Sequence, residues 1–131
     1  EGRLIRREPG DGYWSNVWNV QPFSTSYWGG RPTQDQMYTT AYYSKADWND
    51  TRFLRPDFDK LLLEARAELD EQKRKDMYRE MATMVRDEGG VILPMFNDFV
   101  NASTKAVQGY VNDIGNDMSN GYVATRVWLE S

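Results

Sequence analysis

The chain has 131 residues and a formal net charge of −4, from 16 Lys+Arg and 20 Asp+Glu. It holds no histidine and no cysteine. That removes disulfides, zinc of the usual His/Cys type, His- or Cys-ligated haem, iron–sulfur clusters, Ser-His-Asp triads and thiol nucleophiles. The acidic balance speaks against a nucleic-acid partner, while 40% hydrophobic and 27% charged residues suit one folded domain or a piece of one.

In chain order, Arg3-Leu4-Ile5-Arg6-Arg7-Glu8 reads as a strand entered mid-fold, so a piece of a longer protein is expected. Pro9-Gly10-Asp11-Gly12 closes it with a turn. Tyr13 to Val17 suits one or two helical turns, which sets Trp14 and Trp18 on one side. Asn19 to Tyr27 reads as a strand that Gly29-Gly30-Arg31-Pro32 breaks, and Thr33 as the N-cap of a helix from Gln34 to Tyr42. Ser44 to Leu54 reads as loop.

The strongest periodicity follows. Phe58, Leu61, Leu62, Ala65 and Leu69 form one helical stripe, with Pro56 at the first helical position. Asp57 and Asp59 sit at the positive end of that helix dipole. Asp70 can cap a second helix, Glu71 to Glu88, with Met77, Tyr78, Met81, Met84 and Val85 on its apolar face and Gly89-Gly90 as its stop. The pair predicts an αα-hairpin. Val91 to Phe96 reads as a buried strand limited by Pro94, with Phe99 to Thr104 as its continuation. Gln108 to Gly121 reads as loop and Tyr122 to Leu129 as a closing strand. Interleaved helices and strands give an α/β class, of the α+β-like kind with a mixed sheet and helices.

Aromatic residues are abundant: Trp 5, Tyr 8 and Phe 5. Many lie beside Gly, Asn, Ser and Thr, which suits either a stacking pocket or an aromatic core. Tyr27-Trp28-Gly29-Gly30-Arg31, with Asp35 just beyond, combines two rings, a glycine pair, a guanidinium and a carboxylate between a strand and a helix. Glycines let a ligand approach the backbone, Trp28 offers a stacking face and Arg31 can grip a carboxylate through two hydrogen bonds. A turn with a core Trp and a solvated Arg is the competing reading. Loop carboxylates such as Asp47, Asp50, Asp98, Asp113 and Asp117 do not define a catalytic pair, and no calcium-loop or nucleotide-binding spacing is present. No enzyme activity, cofactor or metal is therefore expected.

Several segments occur together in a telling order: Trp28-Gly29-Gly30-Arg31-Pro32-Thr33, Trp48-Asn49-Asp50, Phe58-Asp59-Lys60-Leu61-Leu62, Glu64-Ala65-Arg66, Asp70, Lys73-Arg74, Tyr78 and Val91 to Phe96. This order resembles the dipeptide/oligopeptide/nickel class of bacterial extracellular solute-binding proteins that serve ABC importers. The resemblance implies the C-terminal lobe of a two-lobed, type II periplasmic-binding fold, over about residues 1–106. It implies a tail, about 107–131, returning toward an N-terminal lobe upstream. It implies non-catalytic capture of a peptide or other small polar solute between the lobes, with membrane permease subunits as partners. The implied location is the periplasm or the outer face of the membrane, with a signal peptide upstream.

The implied ligand-binding residues are Tyr27, Trp28, Gly29, Gly30, Arg31, Asp35 and Trp48. In peptide-binding relatives an acidic residue stands where this chain has Arg31. An Arg repels an ammonium, so the expectation is a carboxylate, phosphate or hydroxyl-rich group near Arg31, or an amine held elsewhere, for instance by Asp35. Nickel is disfavoured by the missing histidines. With half the cleft elsewhere, the chain alone should bind no solute tightly, and its tail should be mobile or pair with another copy. A carbohydrate-binding module, a protein-interaction module and a hydrolase using loop carboxylates are the rival readings.

Overall fold

A computed structural model describes Ile5 and residues 9–113, 115 and 117–130. The strand expected over Leu4 to Glu8 lies mostly outside those residues. The chain divides into two compact units, Glu1–Val91 and Ile92–Ser131. Helices and a small sheet are both present, so the class is mixed α and β.

The first unit carries a 3-10 turn at Pro9–Asp11 and four helices: α1 (Tyr13–Asn16), α2 (Gln34–Ala41), α3 (Pro56–Ala67) and α4 (Glu71–Glu88). Local chemistry sets their ends. Thr33 Oγ1 accepts the Gln36 N–H at 3.2 Å, which satisfies one orphan donor of α2. Pro56 opens α3, where its missing N–H costs nothing. Asp70 accepts the Lys73 N–H at 2.8 Å and starts α4. Gly89 closes α4 by donating to the Val85 carbonyl at 2.8 Å, and Gly90 follows with φ +70°.

The α3–α4 hairpin forms as the periodicity predicts. Phe58, Leu62 and Ala65 are fully buried on α3 and Met81 on α4. Leu69 departs from the stripe, because α3 ends at Ala67 and leaves it 93% exposed in the connector. Tyr38 and Ala41 of α2, Tyr42 just after it and Phe53 complete the core. Its rings meet edge-on: Phe58 lies 5.1 Å from Phe53 and 5.5 Å from Tyr38, between centroids. Such contacts add to the area buried.

The expected strand from Asn19 to Tyr27 is absent. Turns and irregular extended chain replace it, with Val20 and Phe23 exposed. Residues 44–54 form turns, as the polar composition suggests. Buried Asn49 braces them: its Oδ1 accepts the Phe53 N–H at 3.0 Å and its Nδ2 donates to the Phe53 carbonyl at 2.9 Å. One amide thereby imitates a strand partner.

In the second unit β1 (Val107–Gln108) pairs antiparallel with β2 (Trp128–Leu129), Val107 opposite Leu129 and Gln108 opposite Trp128. Gly109 has φ +77°, and a Cβ there would stand 2.3 Å from the Trp128 ring, so glycine is required. Between the strands lie α5 (Asp117–Asn120), whose Met118 and Ser119 are left-handed, and α6 (Val123–Arg126). The closing strand read over Tyr122 to Leu129 is thus two residues long, preceded by a helical turn. Residues 91–104 form no strand at all and are exposed throughout. An apolar run looks alike whether or not the chain supplies a ladder partner, and here it supplies none among the described residues.

Candidate functional site

The site begins with α1. Gly12 turns the chain at φ +77°, and the helix with the turn after it brings Trp14 and Trp18 together, their rings 5.7 Å between centroids. Trp18 contacts Trp48 at 6.3 Å, and Trp48 contacts Trp28 at 6.0 Å. Tyr13 and Tyr27 both meet Trp14, at 4.9 and 5.7 Å. Every contact is edge-on, the arrangement the ring quadrupoles favour. Trp14 and Trp48 remain about half exposed and Tyr27 largely exposed. The result is a surface band of six aromatic rings rather than a closed core.

Asp50 holds the band together. Its Oδ2 accepts the Trp18 indole N–H at 2.8 Å and the Trp28 indole N–H at 3.0 Å. A second latch joins the same segments: Asn19 Nδ2 donates to the Asp47 carbonyl, and Arg52 Nη2 donates to the Asn19 carbonyl, each at 2.9 Å. Asn19 and Arg52 both adopt positive φ to do so. The Tyr13 hydroxyl donates to the Thr25 carbonyl and ties α1 to the segment leading into Trp28.

Arg31 lies over the Trp28 ring, 5.9 Å from its centroid. Its Nη1 donates to the Gly29 carbonyl at 2.8 Å and the Gly30 carbonyl at 3.3 Å. Gly29 and Gly30 therefore act through their carbonyls. Among the described residues no carboxylate is paired with Arg31, so its positive charge stays available.

Asp35 is placed differently. Its Oδ1 accepts from Arg66 Nε at 2.7 Å and from the Tyr78 hydroxyl at 3.0 Å, and its Oδ2 from Arg66 Nη2 at 2.9 Å. The carboxylate staples α2 to α3 and α4, with two hydrogen bonds on Oδ1 and one on Oδ2. The Arg66 hydrogen bonds hold the Asp35 carboxyl below its ordinary value, against the effect of burial and with help from Tyr78. Because the folded value is the lower one, this contribution is present above the ordinary value of 3.8 and is lost as pH falls through the folded value. We expect Asp35→Asn to lower the urea midpoint at neutral pH and to flatten its decline below about pH 4. An acid slope equal to the parent's would contradict the assignment.

The structure thus gathers Tyr27, Trp28 and Trp48 into one band, with Arg31 at its edge. A shallow hollow of about 340 Å³ beside it is lined by Arg31, Asp35, Gln36, Thr39, Thr40 and Arg66. Both threonine hydroxyls donate back along α2, to the Asp35 and Gln36 carbonyls at 2.7 Å. The donors left for an anion come from Arg31, the Gln36 amide and the outer edge of Arg66. The sequence sets Trp14 and Trp18 on one face without assigning them a site, and places Asp50 among the loop carboxylates and in the Trp48-Asn49-Asp50 segment without a structural role. The i,i+4 spacing was the signal for the first pair. The bonding of Asp50 to the two indoles gave none, since its partners lie 32 and 22 residues away.

Comparison with protein-family models, curated proteins and solved structures gives no significant match.

Proposed function

We propose that the chain captures a small polar solute without chemical change, as part of a solute-binding protein serving an ABC importer outside the cytoplasmic membrane. The observation that carries this is the part-exposed aromatic band with the Arg31 guanidinium, which no carboxylate of the described residues pairs, stacked on its edge. Flat rings take the apolar faces of a solute, and the guanidinium fixes a carboxylate or phosphate on it. In this reading the chain is the C-terminal lobe of a two-lobed fold of the dipeptide/oligopeptide/nickel class, and a second lobe closes over the band. Residues of the resembling motif support it by acting together: Arg66 and Tyr78 both donate to Asp35, and Arg74 donates to the Glu68 carbonyl between the hairpin helices.

Lobe closure is worth only the difference in affinity between open and closed forms. The chain alone is therefore expected to bind peptides and sugar acids no more tightly than about 10 µM by titration calorimetry. In the two-lobed protein, Trp28→Ala combined with Arg31→Ala should abolish retention of co-purified solute in native mass spectrometry. Sub-micromolar binding by the 131-residue chain, or solute retained by the double variant, overturns the reading. The half-exposed Trp14 and Trp48 also suit sugar rings, so a carbohydrate-binding module is the second reading. Neutral oligosaccharide binding that survives loss of Arg31 would favour it.

A further inference from the structure

The hollow beside the aromatic band has a charge balance and a donor pattern that together narrow the solute. Its volume, about 340 Å³, is at the low end for small-molecule sites. Arg31, Arg66 and Asp35 are its charged lining residues, and Asp35 is ion-paired with Arg66. One positive charge, that of Arg31, is left over. Arg31 spends Nη1 on the Gly29 and Gly30 carbonyls. Its Nε and Nη2 hydrogens have no partner among the described residues, and they form the side-on fork that fits a carboxylate. Arg66 has the same fork in use, with Nε and Nη2 on the two oxygens of Asp35 at 2.7 and 2.9 Å. Beside the free fork the hollow offers neutral groups. Thr40 Oγ1 donates its one hydrogen to the Gln36 carbonyl at 2.7 Å, so toward a solute it can only accept. The Gln36 side-chain amide can both donate and accept.

Resting on the capture reading above, we propose that this hollow takes a hydroxylated monocarboxylate, a sugar acid. Its carboxylate lies on the Arg31 fork, and its hydroxyls donate to Thr40 Oγ1 and the Gln36 amide oxygen. A phosphate group carries about −1.5 to −2 charges at neutral pH, more than one unbalanced guanidinium offsets. An ammonium would meet two guanidiniums against a single carboxylate that Arg66 already balances. A hydroxyl suits a threonine oxygen that has no hydrogen to give, and a sugar acid sets several hydroxyls beside its carboxylate. The Trp28 ring, 5.9 Å from the Arg31 guanidinium carbon, borders the same fork and takes the C–H face of the sugar.

The test uses the 131-residue chain with glucuronate, glucose, glucose 6-phosphate and acetate at constant ionic strength. Nuclear magnetic resonance follows the Arg31 Nε–H and the Gln36 side-chain amide. Glucuronate should saturate both signals with a dissociation constant of about 1–10 mM. Glucose, which lacks the carboxylate, should bind at least about tenfold more weakly. Glucose 6-phosphate should bind no more tightly than glucuronate. Arg31→Gln should bring glucuronate to the level of glucose. Thr40→Val should weaken glucuronate about threefold and leave acetate unchanged. Arg31 and Thr40 lie outside the buried core, and unchanged signals from Phe58 and Met81 check the fold of each variant. Equal binding of glucuronate and glucose overturns the proposal, as does tighter binding of glucose 6-phosphate. No shift at about 100 mM glucuronate, or a Thr40→Val variant that binds as the parent does, overturns it as well. If the two-lobed protein then still retains a solute through Trp28 and Arg31, the sugar-acid class alone has failed and solute capture stands. If its retention does not depend on those two residues, both have failed.

Discussion

Phe58→Ala is expected to destabilise the first unit by about 3–5 kcal/mol. Phe58 has no exposed surface, and its ring meets both Phe53 and Tyr38 edge-on. The substitution removes those contacts and opens a cavity where α2, α3 and the Asn49-braced turn converge, and a rigid hairpin refills such a space poorly. Phe58→Leu keeps much of the volume and should cost far less. Urea unfolding followed by far-ultraviolet circular dichroism measures both. A loss below about 1 kcal/mol for the alanine variant would mean that the core closes differently.

Asp50→Ala is expected to have the largest effect on the aromatic band, at about 2–3 kcal/mol with both tryptophans released. One carboxylate oxygen serves two indole donors, so its removal leaves two part-buried N–H groups without their acceptor. Trp28 carries the Arg31 stack, so the loss should spread to Arg31. Asp50→Asn retains an acceptor oxygen without the charge and should fall between the two. Tryptophan emission should shift to the red for the alanine variant as the rings gain water. Unchanged emission, with stability within about 0.5 kcal/mol of the parent, would show that ring packing alone sets the band.

How far each element was legible follows from the range of the forces that make it. The span of α4 could be read to its last residue, because Asp70 and Gly89 act within one helical turn of its ends. The cap at Thr33 was legible for the same reason. Leu69 misled because the stripe continues arithmetically past Ala67 while the backbone does not. The strand readings over Asn19 to Tyr27 and Val91 to Phe96 failed because a strand needs a neighbour, and no local pattern announces its absence. The site divides along the same line. Trp28 and Arg31 lie three residues apart and read as one candidate site, although the stacking of the guanidinium on the ring appears only in the structure. The role of Asp50, and the diversion of Asp35 into a staple with Arg66 and Tyr78, depend on residues brought together only by folding.

The Asn49 bracket carries a consequence for recognition. It fixes the turn that bears Trp48 on one side and Asp50 on the other. The conformational entropy of that turn is therefore surrendered once, during folding, and is not charged again when a solute arrives. On the proposed reading, rings held in this way would accept only solutes whose contours already match them. Selectivity would then arise from the shape of a stationary surface, and encounter would be free to be fast.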